Sequence, residues 1–259
     1  LNTSKKYVLG LLEKYNLKSQ NLLIQSSFDS KDLRKKISDS LNHIDIFHYD
    51  CDQYESTVQA LSVSKIHRVI VSTDCENIAQ IAKTFGAQVP FLRPKELASD
   101  KSPEWLSWQH ALKMIINDTN CTPKMMISLP VTSPLRDVID IENCINIFEK
   151  KNADIVISVT DAQRNPYFNM VQEGTDGSVS PVIRIDKKIS RYQDAPKIFD
   201  MTTVAYVAKP EYVLKENEIF SGKTFYNHVP IERSIDIDTL FDFKIAEFLM
   251  LEKLGSKNG

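Results

Sequence analysis

The scarcest feature of this chain is glycine, of which only seven occur in 259 residues. Enzymes that handle phosphates usually need glycine where the backbone closes on the ligand, because glycine lacks a Cβ. No Walker loop, no G-x-G-x-x-G motif and no G-x-S-x-G elbow is present, so the glycine-rich nucleotide loops and the hydrolase nucleophile elbow are excluded. Taken alone, the shortage of glycine weighs against phosphate chemistry.

The chain also lacks paired cysteines, long apolar runs and a charge of one sign. Its four cysteines form no C-x-x-C pair and match no zinc spacing, which predicts reduced thiols and a cytoplasmic protein. No stretch approaches about 18 consecutive apolar residues, and the first 21 residues resemble no secretory signal, so no membrane association is expected. The 32 basic and 34 acidic residues argue against nucleic-acid partners.

Short apolar runs alternate with segments of helical periodicity along the chain. Strands are predicted at residues 21–25, 68–72, 88–92, 125–129, 155–159 and 203–208, and helices at residues 5–15, 51–63, 76–85, 104–116, 139–150 and 242–254. Gly86 and Gly255 are expected to end two of these helices. This alternation predicts an α/β fold with a mostly parallel sheet and helices on both faces. Ligands are then expected beyond the carboxyl ends of the strands.

Residues 165–199 interrupt this alternation with glycine, proline and short β-prone pieces. The segment is predicted to be an extended, hairpin-like excursion from the main domain. The resulting division is a helical N-terminal extension at 1–20, a main domain at 21–164 and 200–259, and the excursion at 165–199. Trp105 and Trp108 fall on one helical stripe and are expected in the core rather than in a base-stacking platform.

Asp236 and Asp238 form the first candidate site. In a strand they would project from one side, about 7 Å apart, with Ile235 and Ile237 on the other. Two carboxylates on one side suit Mg²⁺, which adds waters and substrate phosphates as its other ligands. Two alternatives remain open at this point: a solvated edge strand, or a helix start with Asp238 as its N-cap.

Two loops that follow predicted strands are further candidates. Thr132, Ser133 and Arg136 fit a ligand-binding rim, and Ser133 and Pro134 could also begin a helix there, which is compatible with that role. Residues 30–36 hold four cations in seven positions and could cradle a triphosphate. The alternative for that second loop is a solvated, charged loop.

Four segments together resemble one enzyme family. Residues 69–74 read VIVSTD, residues 89–100 VPFLRPKELASD, residues 132–136 TSPLR, and residues 233–239 RSIDIDT followed by Asp242-Phe243. These segments are similar to motifs of the CMP-sialic acid synthetases (N-acylneuraminate cytidylyltransferases). Their order and spacing agree across roughly residues 22–254.

The resemblance implies transfer of CMP from CTP to the anomeric hydroxyl of a nine-carbon 2-keto acid, with release of pyrophosphate. That acid would be a sialic, legionaminic or related nonulosonic acid. A Rossmann-like nucleotidyltransferase fold, Mg²⁺ and a homodimer formed through the excursion are also implied. The implied roles are Asp236 and Asp238 for the metal, Lys31 and Lys36 for catalysis, Ser27, Ser30, Lys31, Lys36, Arg93 and Ser102 for the nucleotide, and Thr132, Ser133, Arg136, Arg191 and Gln193 for the acid. Arg34 is expected as a further catalytic residue on the hypothesis given below, not from the family pattern.

The chain departs from the family pattern at the phosphate loop. Ser27 replaces an arginine, Phe28 and Asp29 stand at positions that are often glycine, and Arg34 replaces a proline. Thr202-Thr203 stands where many members have Asn-Gly. One hypothesis is a working synthetase in which Arg34 substitutes for the missing arginine. The alternatives are a catalytically weak relative that acts as a binding or dimer partner, and a nucleotidyltransferase for another sugar.

Overall fold

The computed structural model describes residues 59–99, 102–184 and 191–256. The helices are α1 (Glu76–Thr84), α2 (Glu104–Thr119), α3 (Val138–Lys151), α4 (Pro210–Lys215) and α5 (Leu240–Ser256), and the strands are β1 (Met126–Ser128), β2 (Ile155–Asp161), β3 (Val171–Glu173), β4 (Val179–Pro181), β5 (Phe199–Ala208) and β6 (Thr224–His228). Short 3₁₀ turns span Lys95–Leu97, Tyr192–Asp194 and Ile231–Arg233. Within the described residues, no helix has the length and apolar character that crossing a bilayer requires. The elements predicted before residue 59 lie outside the described residues.

The main sheet has the strand order β1-β5-β2-β6. Strand β2 pairs with β6 in parallel and with β5 in antiparallel orientation, and β5 is also antiparallel to β1. Three strands therefore run in one direction and β5 runs against them. The excursion explains this reversal: the chain leaves the sheet at the end of β2 and returns near the same edge to begin β5. We call the edge at which β1, β2 and β6 end the carboxyl edge.

Helices cover both faces of this sheet, as the sequence predicted. On one face α3 packs Ile141 and Ile145 against Val156 of β2. On the other face Trp105 and Trp108 of α2 pack with α4 against the neighbouring β2 residues, Ile155 and Ile157. The two sets separate because successive strand residues point to opposite faces. Both tryptophans are core residues, as expected.

Local sequence signals account for most of the helix ends. Gly86 has a φ of +91° just after α1, and Asn120 and Asn152 adopt left-handed backbone at the ends of α2 and α3. Glycine and asparagine tolerate this conformation better than other residues. The prediction for Gly255 is wrong, because the turns of α5 continue through it to Ser256.

The structure also bears on the two strands predicted between residues 68 and 92 and on the predicted excursion at 165–199. The strands expected at 68–72 and 88–92 are represented in the described residues by one parallel bridge, Ile70 to Gln88. A hairpin is present inside residues 165–199, where β3 pairs with β4 in antiparallel register. The division of the chain into domains stays a prediction.

Gly222, two residues before β6, allows a test of how closely the chain packs there. A Cβ at this position would lie 2.6 Å from the Tyr212 ring and 2.9 Å from an Asp154 carboxylate oxygen. We expect Gly222→Ala to lower the free energy of unfolding by about 1–3 kcal/mol, because the buried neighbours must shift. Urea denaturation measures this change. The exposed neighbour Ser221 is the control: Ser221→Ala should stay within about 0.5 kcal/mol of the parent, and equal losses would contradict the packing argument.

Candidate active site

Three segments converge at the carboxyl edge of the sheet. The loop at residues 129–137 follows β1, the segment at 229–239 follows β6, and the N-terminal half of β5 lies between them because β5 runs in the opposite direction. In α/β sheets, ligands bind at this edge. The convergence brings together residues that are far apart in sequence.

Hydroxyl groups from two of these segments form a cluster. The Thr203 hydroxyl of β5 lies 3.1 Å from the Thr132 hydroxyl and 2.7 Å from the Ser133 hydroxyl. Ser133 is fully buried. These hydroxyls can each donate or accept hydrogen bonds, so the cluster can adapt to a neighbouring carboxylate.

Arg136 lies inside the fold rather than at an exposed rim. It is fully buried, and its Nε donates to the Ser133 carbonyl oxygen at 3.1 Å. Helix α3 begins two residues later, at Val138, with Asp137 and Asp140 forming a reciprocal capping box. The prediction that Ser133 and Pro134 begin a helix is therefore wrong, because Asp137 occupies the N-cap position.

The segment that carries Asp236 forms no strand among the described residues. Thr202 Oγ1 donates to the Ser234 carbonyl at 3.0 Å, and the Ile237 N–H donates to the Thr132 carbonyl at 2.8 Å. Ile235 and Ile237 pack in one apolar cluster with α5, and Ile237 is buried there. The isoleucines are therefore held together by packing rather than by strand pairing.

Asp236 is a carboxylate in a partly desolvated position. Its Oδ1 atom is shielded from solvent and has no hydrogen-bond partner among the described residues. Burial raises the pKa of Asp236, hydrogen bonds from Thr132 and Thr203 oppose that rise, and the nearby negative charge of Asp238 adds to it. The position therefore disfavours the charged form unless a cation is present.

Asp238 is exposed and does not cap α5. Thr239 takes that role: the Asp242 carboxylate accepts a hydrogen bond from the Thr239 N–H at 2.8 Å, and Thr239 Oγ1 accepts one from the Asp242 N–H at 3.3 Å. The alternative in which Asp238 is the N-cap is wrong, because Thr239 satisfies the free N–H groups of the first turn.

The predicted nucleotide-recognition segment is folded around Arg93. This side chain is buried and donates to Ser107 Oγ at 3.2 Å, while the Arg93 N–H donates to the Thr73 carbonyl at 2.8 Å. His110 lies nearby, and burial together with the charge of Arg93 lowers its pKa. The Ser102 hydroxyl is shielded from solvent and has no hydrogen-bond partner within the described residues.

Comparison with known proteins adds independent information. A sequence model of the cytidylyltransferase family matches residues 22–249. Post-translational flagellin modification protein B of Campylobacter coli is 31% identical over 86% of this chain and 92% of its own length. The CMP-N,N'-diacetyllegionaminic acid synthase of Campylobacter jejuni is 29% identical over 88% of this chain and 94% of its own length.

The chain belongs to the cytidylyltransferase family. The resemblance to CMP-sialic acid synthetases is thereby confirmed, and the protein is a nucleotidyltransferase. A solved CMP:2-keto-3-deoxy-manno-octonic acid synthetase, in complex with CTP, superimposes with a TM-score of 0.55 at 13% identity, over 82% of this chain and 92% of that one. At this identity the likeness shows the fold, and the predicted Rossmann-like nucleotidyltransferase architecture is confirmed.

The donor set of this cytidylyltransferase at Asp236 fits a divalent cation. Its unpartnered Oδ1 and the nearby Asp238 offer two carboxylates, the number that Mg²⁺ commonly takes from protein. The described residues contain no group of three or more histidine, cysteine, aspartate or glutamate side chains suited to a metal. A cation held here would take its remaining ligands from water and substrate phosphates.

The other predicted site residues are less closely gathered. Arg191 and Gln193 are exposed on the Tyr192–Asp194 turn, where Arg191 pairs with Asp194. Among the described residues no hydrogen bond or ion pair joins them to the Asp236 cluster. The catalytic and nucleotide-binding residues predicted between Ser27 and Lys36 lie outside the described residues.

Three residues at or behind this site, Thr203, Asp140 and Arg233, were not among the predicted site residues. The signal for Thr203 was that Thr202-Thr203 stands where many members of the resembled family have Asn-Gly. Arg233 lay inside a matched motif without a function. Asp140 looked like an ordinary first-turn acidic residue of a helix.

The unfavourable burial of the Asp236 charge leads to a prediction about the stability of the fold. Asp236→Asn removes the buried charge and keeps groups that hydrogen-bond to Thr132 and Thr203, so the melting temperature in metal-free buffer should rise by about 2–4 °C at neutral pH. Because the pKa of Asp236 in the folded state lies above the ordinary 3.8, the loss of stability begins as the pH rises past 3.8 and is complete above the raised pKa.

The rise in melting temperature caused by Asp236→Asn should therefore become smaller as the pH falls through the raised pKa of Asp236, and it should vanish below 3.8. Scanning calorimetry across this pH range measures the effect. Asp238→Asn is the matched control and should leave the melting temperature nearly unchanged, because Asp238 is exposed. A loss of stability in Asp236→Asn would contradict the argument.

Proposed function

We propose that this cytidylyltransferase transfers CMP from CTP to a nonulosonic acid, giving a CMP-sugar and pyrophosphate. The observation that carries the proposal is the unpartnered Asp236 carboxylate oxygen within the hydroxyl cluster of Thr132, Ser133 and Thr203. The name of the Campylobacter jejuni relative supports an acid of this class.

In this reaction the anomeric hydroxyl of the acid attacks the α-phosphorus of CTP in line. A bond forms between that oxygen and phosphorus, and the bond to the bridging oxygen of the departing pyrophosphate breaks. The protein acts mainly by positioning the reactants and by stabilising charge. The buried Arg93 and the partly buried Ser102 are proposed to bind the cytidine side, and Thr132, Ser133 and Arg136 the acid side, with Arg191 and Gln193 on the excursion.

We also propose Mg²⁺ as the cofactor, held by Asp236 and Asp238. When bound, it would supply neutralising charge to the phosphates as pyrophosphate leaves. The hydroxyls of Thr132 and Thr203 orient the Asp236 carboxylate through hydrogen bonds.

The phosphate loop provides the test of activity. Purified protein with CTP, Mg²⁺ and either N-acetylneuraminate or N,N'-diacetyllegionaminate should release pyrophosphate. In the proposal Lys31 and Lys36 hold the β- and γ-phosphates, and Arg34 replaces the arginine missing at Ser27. Arg34→Ala should then lower kcat by about 10²–10³, the scale of losing one charge-stabilising donor.

Lys35→Ala is the matched control, because it removes a neighbouring cation without a proposed role. Its kcat should remain within a few-fold of the parent, and equal losses in both variants would show that only the overall charge of the loop matters. Absence of turnover with every nonulosonic acid would refute the proposed function. Weak or absent CTP binding with an intact fold would then favour the catalytically weak relative instead.

A homodimer formed through the excursion is part of this proposal. The register of the β3–β4 hairpin places Val171, Val179 and Pro181 on one face beside Glu173, and Gln172 and Ser180 on the other. Val171 and Val179 are 60% and 66% exposed. An amphipathic hairpin with an uncovered apolar face fits a symmetric contact with a second copy.

Light scattering coupled to gel filtration tests the dimer. The double variant Val171→Asp, Val179→Asp should halve the molar mass, because it places charges in the proposed interface. Gln172→Glu with Ser180→Asp on the opposite face should leave the mass at that of the dimer. A monomeric parent protein, or a charged apolar face that leaves the mass unchanged, would contradict this interface.

A further inference from the structure

An ion pair behind the site has no part in the chemistry described so far. The Asp140 carboxylate is only 1% exposed, and Arg233 contacts both of its oxygens. Arg233 Nε donates to Oδ2 at 2.9 Å and Nη2 donates to Oδ1 at 2.8 Å. This two-point contact fixes the relative orientation of the two side chains as well as pairing their charges.

The partners belong to the two segments that build the site. Asp140 lies in the first turn of α3, where its Oδ2 also accepts the Asp137 N–H at 2.9 Å. Helix α3 follows the loop of Thr132 and Ser133 directly. Arg233 ends the Ile231–Arg233 turn, three residues before Asp236. The pair therefore fixes the start of the aspartate segment against the end of the hydroxyl loop.

Two single hydrogen bonds also hold the backbone of this segment, one on either side of Asp236. One reaches the Ser234 carbonyl from Thr202, and the other joins the Ile237 N–H to the Thr132 carbonyl. The Asp236 side chain itself accepts hydrogen bonds from Thr132 and Thr203. Among these contacts of the described residues, the Arg233–Asp140 pair is the one that joins two charged groups through two coplanar hydrogen bonds, a geometry that a guanidinium provides and an ammonium does not.

We propose that Arg233, through its ion pair with Asp140, is a positioning residue that orients the Asp236 carboxylate for a divalent cation. This inference rests on the proposed function, since it assigns the cation to Asp236. Arg233 acts through the backbone of residues 234–236 and does not touch the substrate. Loss of the two-point contact should therefore change the orientation of the Asp236 carboxylate and weaken its binding of the cation.

The experiment compares the full-length protein with Arg233→Lys and Asp140→Asn. Mn²⁺ serves as the probe, and electron paramagnetic resonance measures free Mn²⁺ in the presence of CTP without any sugar acid. Both variants should bind Mn²⁺ about 10–100-fold more weakly, the range found when a residue that supports a metal ligand is changed. The double variant should lose little more than either single variant, because both remove the same contact.

Arg68→Lys is the matched control, because Arg68 also makes two side-chain contacts, from Nε and Nη2 to Gln88 Oε1 at 3.0 and 2.8 Å. It lies at the start of the 68–72 segment, away from the carboxyl edge. Its Mn²⁺ affinity should match that of the parent. Melting curves on every variant separate a loss of fold from a loss of metal binding.

A folded Arg233→Lys or Asp140→Asn variant that binds Mn²⁺ as tightly as the parent would overturn the proposal. So would failure of both variants to fold, which would make the pair a requirement of the fold, and so would a parent protein that binds no Mn²⁺. Pyrophosphate release by the parent is measured separately. Absence of turnover there counts against the proposed function and leaves the Mn²⁺ comparison intact.

Discussion

A carboxylate buried almost completely must keep its charge paired, and at Asp140 this requirement organises the whole candidate site. Its side chain accepts hydrogen bonds from Arg233 and from the Asp137 N–H, and its carbonyl accepts one from Asn227 of β6. One residue therefore joins the start of α3, the end of β6 and the segment that carries Asp236. Breaking this pair would leave a buried charge without compensation, which is strongly destabilising in proteins.

The scarcity of glycine is reflected in the groups that line the candidate site. In the described residues, glycine serves a helix end at Gly86 and a close approach at Gly222. The described segments around Asp236 contain none. Polar groups at the carboxyl edge come instead from the side-chain hydroxyls of Thr132, Ser133 and Thr203, which are held by backbone hydrogen bonds and by packing.

Asp236 illustrates the conflict between stability and function. Burial disfavours its ionised form, and the neighbouring charge of Asp238 makes ionisation less favourable still. In its proposed role as a metal ligand Asp236 has to be ionised, so a bound cation would offset the cost of burying its charge. Functional sites commonly hold such unfavourable groups, which the rest of the fold keeps in place.

The periodic elements and the motifs can be inferred from the amino-acid sequence alone. The apolar spacing of α1 and α3, the apolar runs of β1 and β2, and the RSIDIDT segment are all local patterns, so their positions and the family could be inferred without a structure. Tertiary structure decided the direction of β5, the place of Thr203 beside Thr132 and the pairing of Asp140 with Arg233, which lie 93 residues apart in the chain. Local periodicity carries no information about these long-range pairs, because their members come into contact only when the sheet brings the carboxyl ends of its strands together.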